Sequence, residues 1–195
     1  LDWVKEYLFS KTLLLFLIFY LVICIINMGK HVAYIDEYTH WADVVKGMVQ
    51  THQLSVYQEG LWYASYPPAI SLLQYFIMIL NGAFQEDLLY IINQIFMISL
   101  FFPFLKKENK YSFVLLIPLI FISPMIFVHN YYDTIYVDAY LGILFAHNLV
   151  YIFSHKELNR FDFLYLMSSS IVLTLTKDIG IFFSCIIVND VRQKI

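Results

Sequence analysis

Seven apolar runs follow one another along this chain with only short polar connections between most of them, and this succession limits the fold more than any other feature. The runs lie at about Thr12–Met28, Ala69–Phe84, Leu88–Leu105, Ser112–Val128, Ile135–Ser154, Phe161–Thr176 and Ile179–Val188. The composition agrees: 61% of the 195 residues are hydrophobic and 14% are charged, against about 25% charged in a soluble domain. The expectation is an all-α, polytopic membrane helix bundle, one multi-pass transmembrane domain over residues 1–195, with the cell membrane as its expected location.

A span needs roughly 20 residues, with about 17 as the lower limit. The first, third, fourth and fifth runs meet that limit. The second is short and opens on a Pro pair. The sixth spans only with extended ends, and the seventh is cut by the end of the sequence, as if the chain were a piece of something longer. The first run is too long and bulky for a signal-peptide core and has no small-residue cleavage site after it, so it reads as a retained helix.

Lysine placement orients the runs. Lys5 and Lys11, the Lys106–Lys110 cluster, and Lys156 with Arg160 are all expected on the cytoplasmic side. That places the loop 29–68 outside, together with Asp133 and the Lys177-Asp178 turn. Parity then requires that Ala69–Phe84 not cross as an independent span. The formal net charge of −3 excludes a nucleic-acid binder that works through a basic surface. Cys24 and Cys185 lie inside apolar runs and read as inert, and no Cys/His spacing suits zinc.

The loop 29–68 is the one long hydrophilic segment, and chemistry concentrates there. Asp36-Glu37 stand just past the end of an apolar run, where a charge beside lipid is costly and marks a site by default. They read either as a helix cap with an acidic first turn or as a general base held at the membrane surface. Trp41, Val44, Val45 and Met48 recur at helical spacing, which suits short interfacial helices with an apolar face. His40 follows Asp36 by four residues and is a candidate substrate contact. Tyr66-Pro67-Pro68 suits helix initiation, since Pro is tolerated in a first turn, and also suits a rigid turn framing a groove beside Asp36.

Further along, Asp133 and Asp138 flank the start of the fifth run. An acid just inside a span usually faces a cavity or the bundle interior. Lys177-Asp178 reads as a local ion pair, or as a point charge that neutralises a phosphate. His147, within an apolar run, reads as a buried interhelical hydrogen-bond partner. A metal site needs His129 or Asp138 brought near Asp36. No spacing demonstrates that, so no metal or other cofactor is assigned.

The acidic pair early in a first external loop, followed by Tyr66-Pro67-Pro68 at the start of the next apolar run, resembles the GT-C glycosyltransferases. It is most similar in pattern to the protein O-mannosyltransferases and the aminoarabinose lipid A transferases. The stretch Asn81-Gly82-Ala83-Phe84-Gln85-Glu86, the Ser123-Pro124 segment leading to Asp133 or Asp138, and Thr176-Lys177-Asp178-Ile-Gly180 also look like segments of those families. The resemblance covers most of the chain through short motifs and corresponds to only the N-terminal part of such a protein.

It implies a polyprenyl-phosphate-linked sugar donor, a membrane-lipid environment, and inverting transfer on the external face to an envelope glycan, lipid or protein. Asp36 would be the general base and Glu37 its catalytic neighbour. His40, Tyr66, Asp133, Asp138 and Lys177 would contact substrate. The chain departs from the family in carrying Tyr66 where several relatives have a lysine or histidine before Pro-Pro. Two other readings are a transporter or permease subunit, which predicts pseudo-repeats that the sequence does not display, and a non-catalytic membrane partner of another membrane protein.

Overall fold

The computed structural model describes residues 10–105 and 134–194. Asp133, His129, the Lys106–Lys110 cluster, the Ser123-Pro124 segment and the run Ser112–Val128 lie outside them. Among the described residues the architecture is all-helical. The helices are α1 (Lys11–Asn27), α2 (Asp43–Thr51, preceded by a π-helical segment Glu37–Ala42), α3 (Ala69–Asn81), α4 (Glu86–Leu105), α5 (Asp138–Ser154), α6 (Arg160–Thr174) and α7 (Gly180–Arg192).

Local signals account for the helix ends. Ser10 caps α1 by accepting from Leu13 N at 3.1 Å. Asn159 and Asp162 form a reciprocal capping box at the start of α6. Gly82 ends α3 with φ +81°, a left-handed conformation that glycine adopts without a Cβ penalty.

Among the described residues, no helix is long and apolar enough to cross a membrane. The first, third and fifth runs are helical as expected, and none of them meets the length and apolarity of a span. Helix α1 has 17 residues, about 25 Å at 1.5 Å per residue against a hydrocarbon core of about 30 Å. Helix α4 has 20 residues, but it opens on Glu86-Asp87 and carries Asn93 and Gln94 near its centre.

Those central amides hold the bundle together. Asn27 and Gln94 exchange two hydrogen bonds, at 2.8 and 3.3 Å, and tie the end of α1 to α4. Gln74 of α3 donates to Asn93 at 2.9 Å, and Asn93 donates to Ile135 O at 3.4 Å. All four amides are buried. A buried amide is stable only when hydrogen-bonded, so each pairing admits one register between its helices. His147 is likewise an interhelical partner. Its Nδ1 meets Leu100 O at 2.6 Å and its Nε2 meets the Tyr165 hydroxyl at 2.5 Å, linking α4, α5 and α6.

Among the described residues, three apolar clusters fill the space between helices. Phe19, Ile23, Ile98 and Phe102 join α1 to α4. Tyr140, Leu144, Leu166, Leu173 and Ile187 knit α5, α6 and α7, with Ile70 and Met97 at the same centre. Val32, Val45, Met78, Leu89, Tyr90 and Ile135 draw the first loop, α2, α3 and α4 together. Val45 belongs to this third cluster, and Val44 and Met48 of the same helix are buried as well. The apolar stripe of α2 therefore packs on protein, on α3 in particular, and not on lipid as its amphipathic pattern suggested.

Helix α3 covers 13 residues of the second apolar run. It doubles back along the first half of α4, with Gln74 against Leu89 and Asn93. Its start is pinned by Ala69 N donating to Leu175 O at 2.8 Å. Its exit returns to Glu86, which accepts from Val32 N at 2.9 Å. The start of α3 thus adjoins the 174–180 turn, and its exit adjoins the loop 28–37.

Candidate functional site

The acidic pair is divided by the fold. Glu37 is fully buried. Its Oε2 accepts from Ala33 N (3.1 Å), Tyr34 N (3.3 Å) and the Tyr90 hydroxyl (2.9 Å). Its Oε1 accepts from Ile135 N at 2.9 Å. Four donors around one carboxylate offset the cost of burying it. Asp36, its neighbour in sequence, is exposed and makes no side-chain cap hydrogen bond. The capping reading of Asp36 is therefore corrected. The catalytic expectation for Glu37 is corrected as well, because a buried carboxylate with four protein donors is an anchor and has no face open to a substrate.

Two further acids reinforce the anchor. Glu86 accepts from Val32 N and meets His31 Nδ1 at 3.2 Å. Asp87 accepts from Gly29 N at 3.1 Å. Both sit in the first turn of α4, where an acidic side chain also complements the helix dipole. Lys30 lies 4.5 Å from the Tyr90 ring centroid, in cation–π geometry. Sequence reasoning gave Glu86 only a place in a family-like motif and passed over Asp87 and Tyr90. No local pattern shows that an acid at a helix start will accept from a loop more than 50 residues away.

Asp36 leads into the π-helical turn Glu37–Ala42. Such turns are rare and often occur at functional sites. The turn presents His40 to an aromatic cluster. The His40 ring stacks on Tyr63 with centroids 3.3 Å apart, and its Nδ1 meets Thr39 Oγ1 at 2.7 Å. Tyr66 meets both His40 (5.5 Å) and Trp41 (5.1 Å) edge-on. Tyr66 and His40 are thus brought together, immediately before the Pro67-Pro68 turn that starts α3.

Asp138 and Lys177 are also brought together, but with each other. Lys177 Nζ donates to Asp138 Oδ1 at 2.6 Å. The Asp138 side chain is 62% exposed and that of Lys177 is 31% exposed. The expectations that Asp138 faces a cavity and that Lys177 pairs locally with Asp178 are both corrected: the pair bridges the start of α5 and the α6–α7 turn. That turn is tight. A Cβ on Gly180 would overlap the backbone carbonyl of Leu173, so α7 can approach α6 this closely only with glycine there.

Three contacts join these groups at one end of the bundle. Glu37 holds Ile135, the residue just before the Tyr136-Val137-Asp138 step into α5. Asp138 holds Lys177. Leu175, two residues earlier in that turn, holds Ala69 behind Pro68. Tyr34 and Tyr136 close the chain of contacts with ring centroids 6.5 Å apart. Among the described residues, no group of three or more His, Cys, Asp or Glu side chains is placed to hold a metal ion. Comparison with known proteins returns no matching family model, no similar curated protein and no similar solved structure.

Proposed function

We propose that this chain is the membrane-embedded part of a glycosyltransferase that moves a sugar from a polyprenyl-phosphate donor to a hydroxyl acceptor, with Asp36 as general base. The division of the acidic pair carries this reading. Glu37 fixes the loop rigidly through four hydrogen bonds, and the same backbone therefore holds Asp36 still while leaving its carboxylate open. A fixed, open carboxylate is what a proton acceptor needs, since general-base catalysis depends first on geometry.

In the proposed reaction the acceptor oxygen attacks the anomeric carbon. The bond from that carbon to the phosphate oxygen breaks, polyprenyl phosphate leaves, and the acceptor proton passes to Asp36. Lys177 serves the leaving phosphate as a point charge. One of its three N–H donors is directed at Asp138, and the others remain to meet an anion. The likeness to GT-C enzymes in the acidic pair and the Pro-Pro turn adds to this reading.

The membrane setting rests on the outer surfaces of the helices. Leu14, Ile25 and Ile26 of α1, Phe153 of α5, Phe161 of α6 and Phe182 of α7 are each at least 62% exposed. Large apolar side chains exposed on four helices suit a lipid solvent. Helices shorter than the hydrocarbon thickness are accommodated by local thinning of the bilayer.

The test is transfer of radiolabelled sugar from defined polyprenyl-phosphate donors by the detergent-purified protein, expressed with whatever native sequence adjoins it. Activity in the wild type that is lost in Asp36→Asn supports the reading. Equal activity in the two proteins removes Asp36 as the base.

A further inference from the structure

We infer that the cleft between α2 and the loop 53–61 is a binding site for a neutral oligosaccharide, and that in the proposed reaction it holds the acceptor glycan. The second half of the inference rests on the transferase reading; the first half stands without it. The cleft has a volume of about 470 Å³ and is lined by Asp43, Lys46 and Gln50 from α2 and by Gln53, Gln58 and Glu59 from the loop. That volume is within the usual range for small-molecule sites.

The lining is unlike the rest of the chain. In a protein that is 61% hydrophobic, Leu61 is the one aliphatic side chain in this lining, and these six polar ones converge on one concave surface. Each glutamine amide offers both donors and acceptors, and each carboxylate offers acceptors only. A sugar hydroxyl both donates and accepts, so a row of amides and carboxylates matches a polyol. Two carboxylates against one ammonium leave the cleft with a formal excess of one negative charge, which disfavours phosphates and anionic headgroups. Tyr57 stands at the rim with 73% of its surface exposed and supplies a flat apolar face for the C–H side of a pyranose ring.

The walls are built, not incidental. His52 turns the chain back from α2 with φ +56°, and its Nδ1 meets the Tyr75 hydroxyl at 3.0 Å. Ser55 Oγ donates to Ala64 O at 2.9 Å and closes the base of the loop. Gln58 Nε2 donates to Gln53 O at 2.7 Å. Gly47 decides the shape. The amide of Gln58 lies against its bare backbone, where a Cβ would overlap Gln58 Oε1. Asp43, Lys46, Gly47 and Gln50 form one helical stripe that starts seven residues after Asp36, about 10 Å along the helix. A chain of several sugars seated on the stripe therefore has one end directed toward Asp36.

The test uses the whole protein in detergent micelles. Fluorescently labelled mannotetraose and cellotetraose are titrated by anisotropy. The wild type is expected to bind at least one of them saturably. Gly47→Ala pushes the Gln58 amide off its seat, and Gln50→Ala removes one amide. Each is expected to weaken binding about tenfold, the size of one well-made hydrogen bond. Because alanine favours a helix over glycine, a melting temperature for Gly47→Ala no lower than the wild type's separates lost binding from lost folding.

Absence of saturable binding to both tetrasaccharides, or unchanged binding in both cleft variants, overturns the site. In a transfer assay, an unchanged acceptor KM in Gly47→Ala overturns the acceptor role while leaving transfer by Asp36 intact. Glycan binding that is lost in the cleft variants, in a protein that shows no transfer, overturns the transferase reading and leaves the cleft standing.

Discussion

Glu37 Oε1 accepts the backbone N–H of Ile135 at 2.9 Å, a hydrogen bond between residues 98 positions apart. It ties the first polar loop to the strand of chain that leads into α5, and the two segments share one apolar cluster through Val32 and Ile135. The position of Asp36 is set by this contact as much as by its own helix.

Replacing Glu37 with Gln keeps its size but removes half of its acceptor capacity and turns an NH2 group toward buried donors. Unfolding of Glu37→Gln by denaturant, in the same micelles as the wild type, is expected to show a loss of about 3 kcal/mol, because a buried donor left unpaired costs roughly 1–3 kcal/mol. A loss below about 0.5 kcal/mol would show that the anchor has little weight.

Asp36→Asn is expected to behave in the opposite way. Its side chain is exposed and makes no cap hydrogen bond, so stability should stay within about 0.5 kcal/mol of the wild type. Turnover in a sugar-transfer assay is expected to fall about 10²–10⁴-fold, the contribution of a general base. Together the two variants separate an acid that maintains the fold from one that does chemistry.

The Asp138–Lys177 pair lies at the surface, with the Asp138 side chain 62% exposed. A double-mutant cycle of Asp138→Asn and Lys177→Met is expected to give a coupling below about 1 kcal/mol, as exposed ion pairs do. Donor binding should respond more strongly to Lys177→Met than to Asp138→Asn. Equal and small effects on donor affinity would remove Lys177 from the phosphate contact.

Gly180→Ala brings a methyl group onto the Leu173 carbonyl. Backbone cannot rotate away as a flexible side chain does, so the α6–α7 hairpin must open. The expected cost is about 2–3 kcal/mol, typical of overpacking, and it is read from denaturant unfolding. A variant as stable as the wild type would mean that the two helices can separate freely.

Orientation is checked by labelling. With Cys24 and Cys185 replaced by Ser, a single cysteine at Glu59→Cys is expected to react with an impermeant maleimide from outside intact cells. One at Glu157→Cys is expected to react only after the membrane is opened. The reverse pattern overturns the orientation read from the lysines.

By itself the sequence determined that the chain would be helical, where its apolar segments would lie, and which loop would carry the polar groups, because hydrophobic periodicity and capping residues act over a few neighbouring positions. It also singled out His147 as an interhelical partner, since a histidine in an apolar run has few other ways to be satisfied. It did not determine what each acid does. Asp36 and Glu37 are adjacent and chemically alike, and only their surroundings distinguish them: four donors converge on Glu37 from the Ala33–Tyr34 backbone, α4 and the step into α5, whereas no side-chain cap engages Asp36. Asp138 and Lys177 met through a turn whose tightness depends on one missing Cβ at Gly180. The polar cleft arose in the same way at Gly47, from a loop folding back on a helix. Such contacts join residues tens of positions apart. Their energies depend on burial and on donor geometry, and the tertiary structure alone sets both.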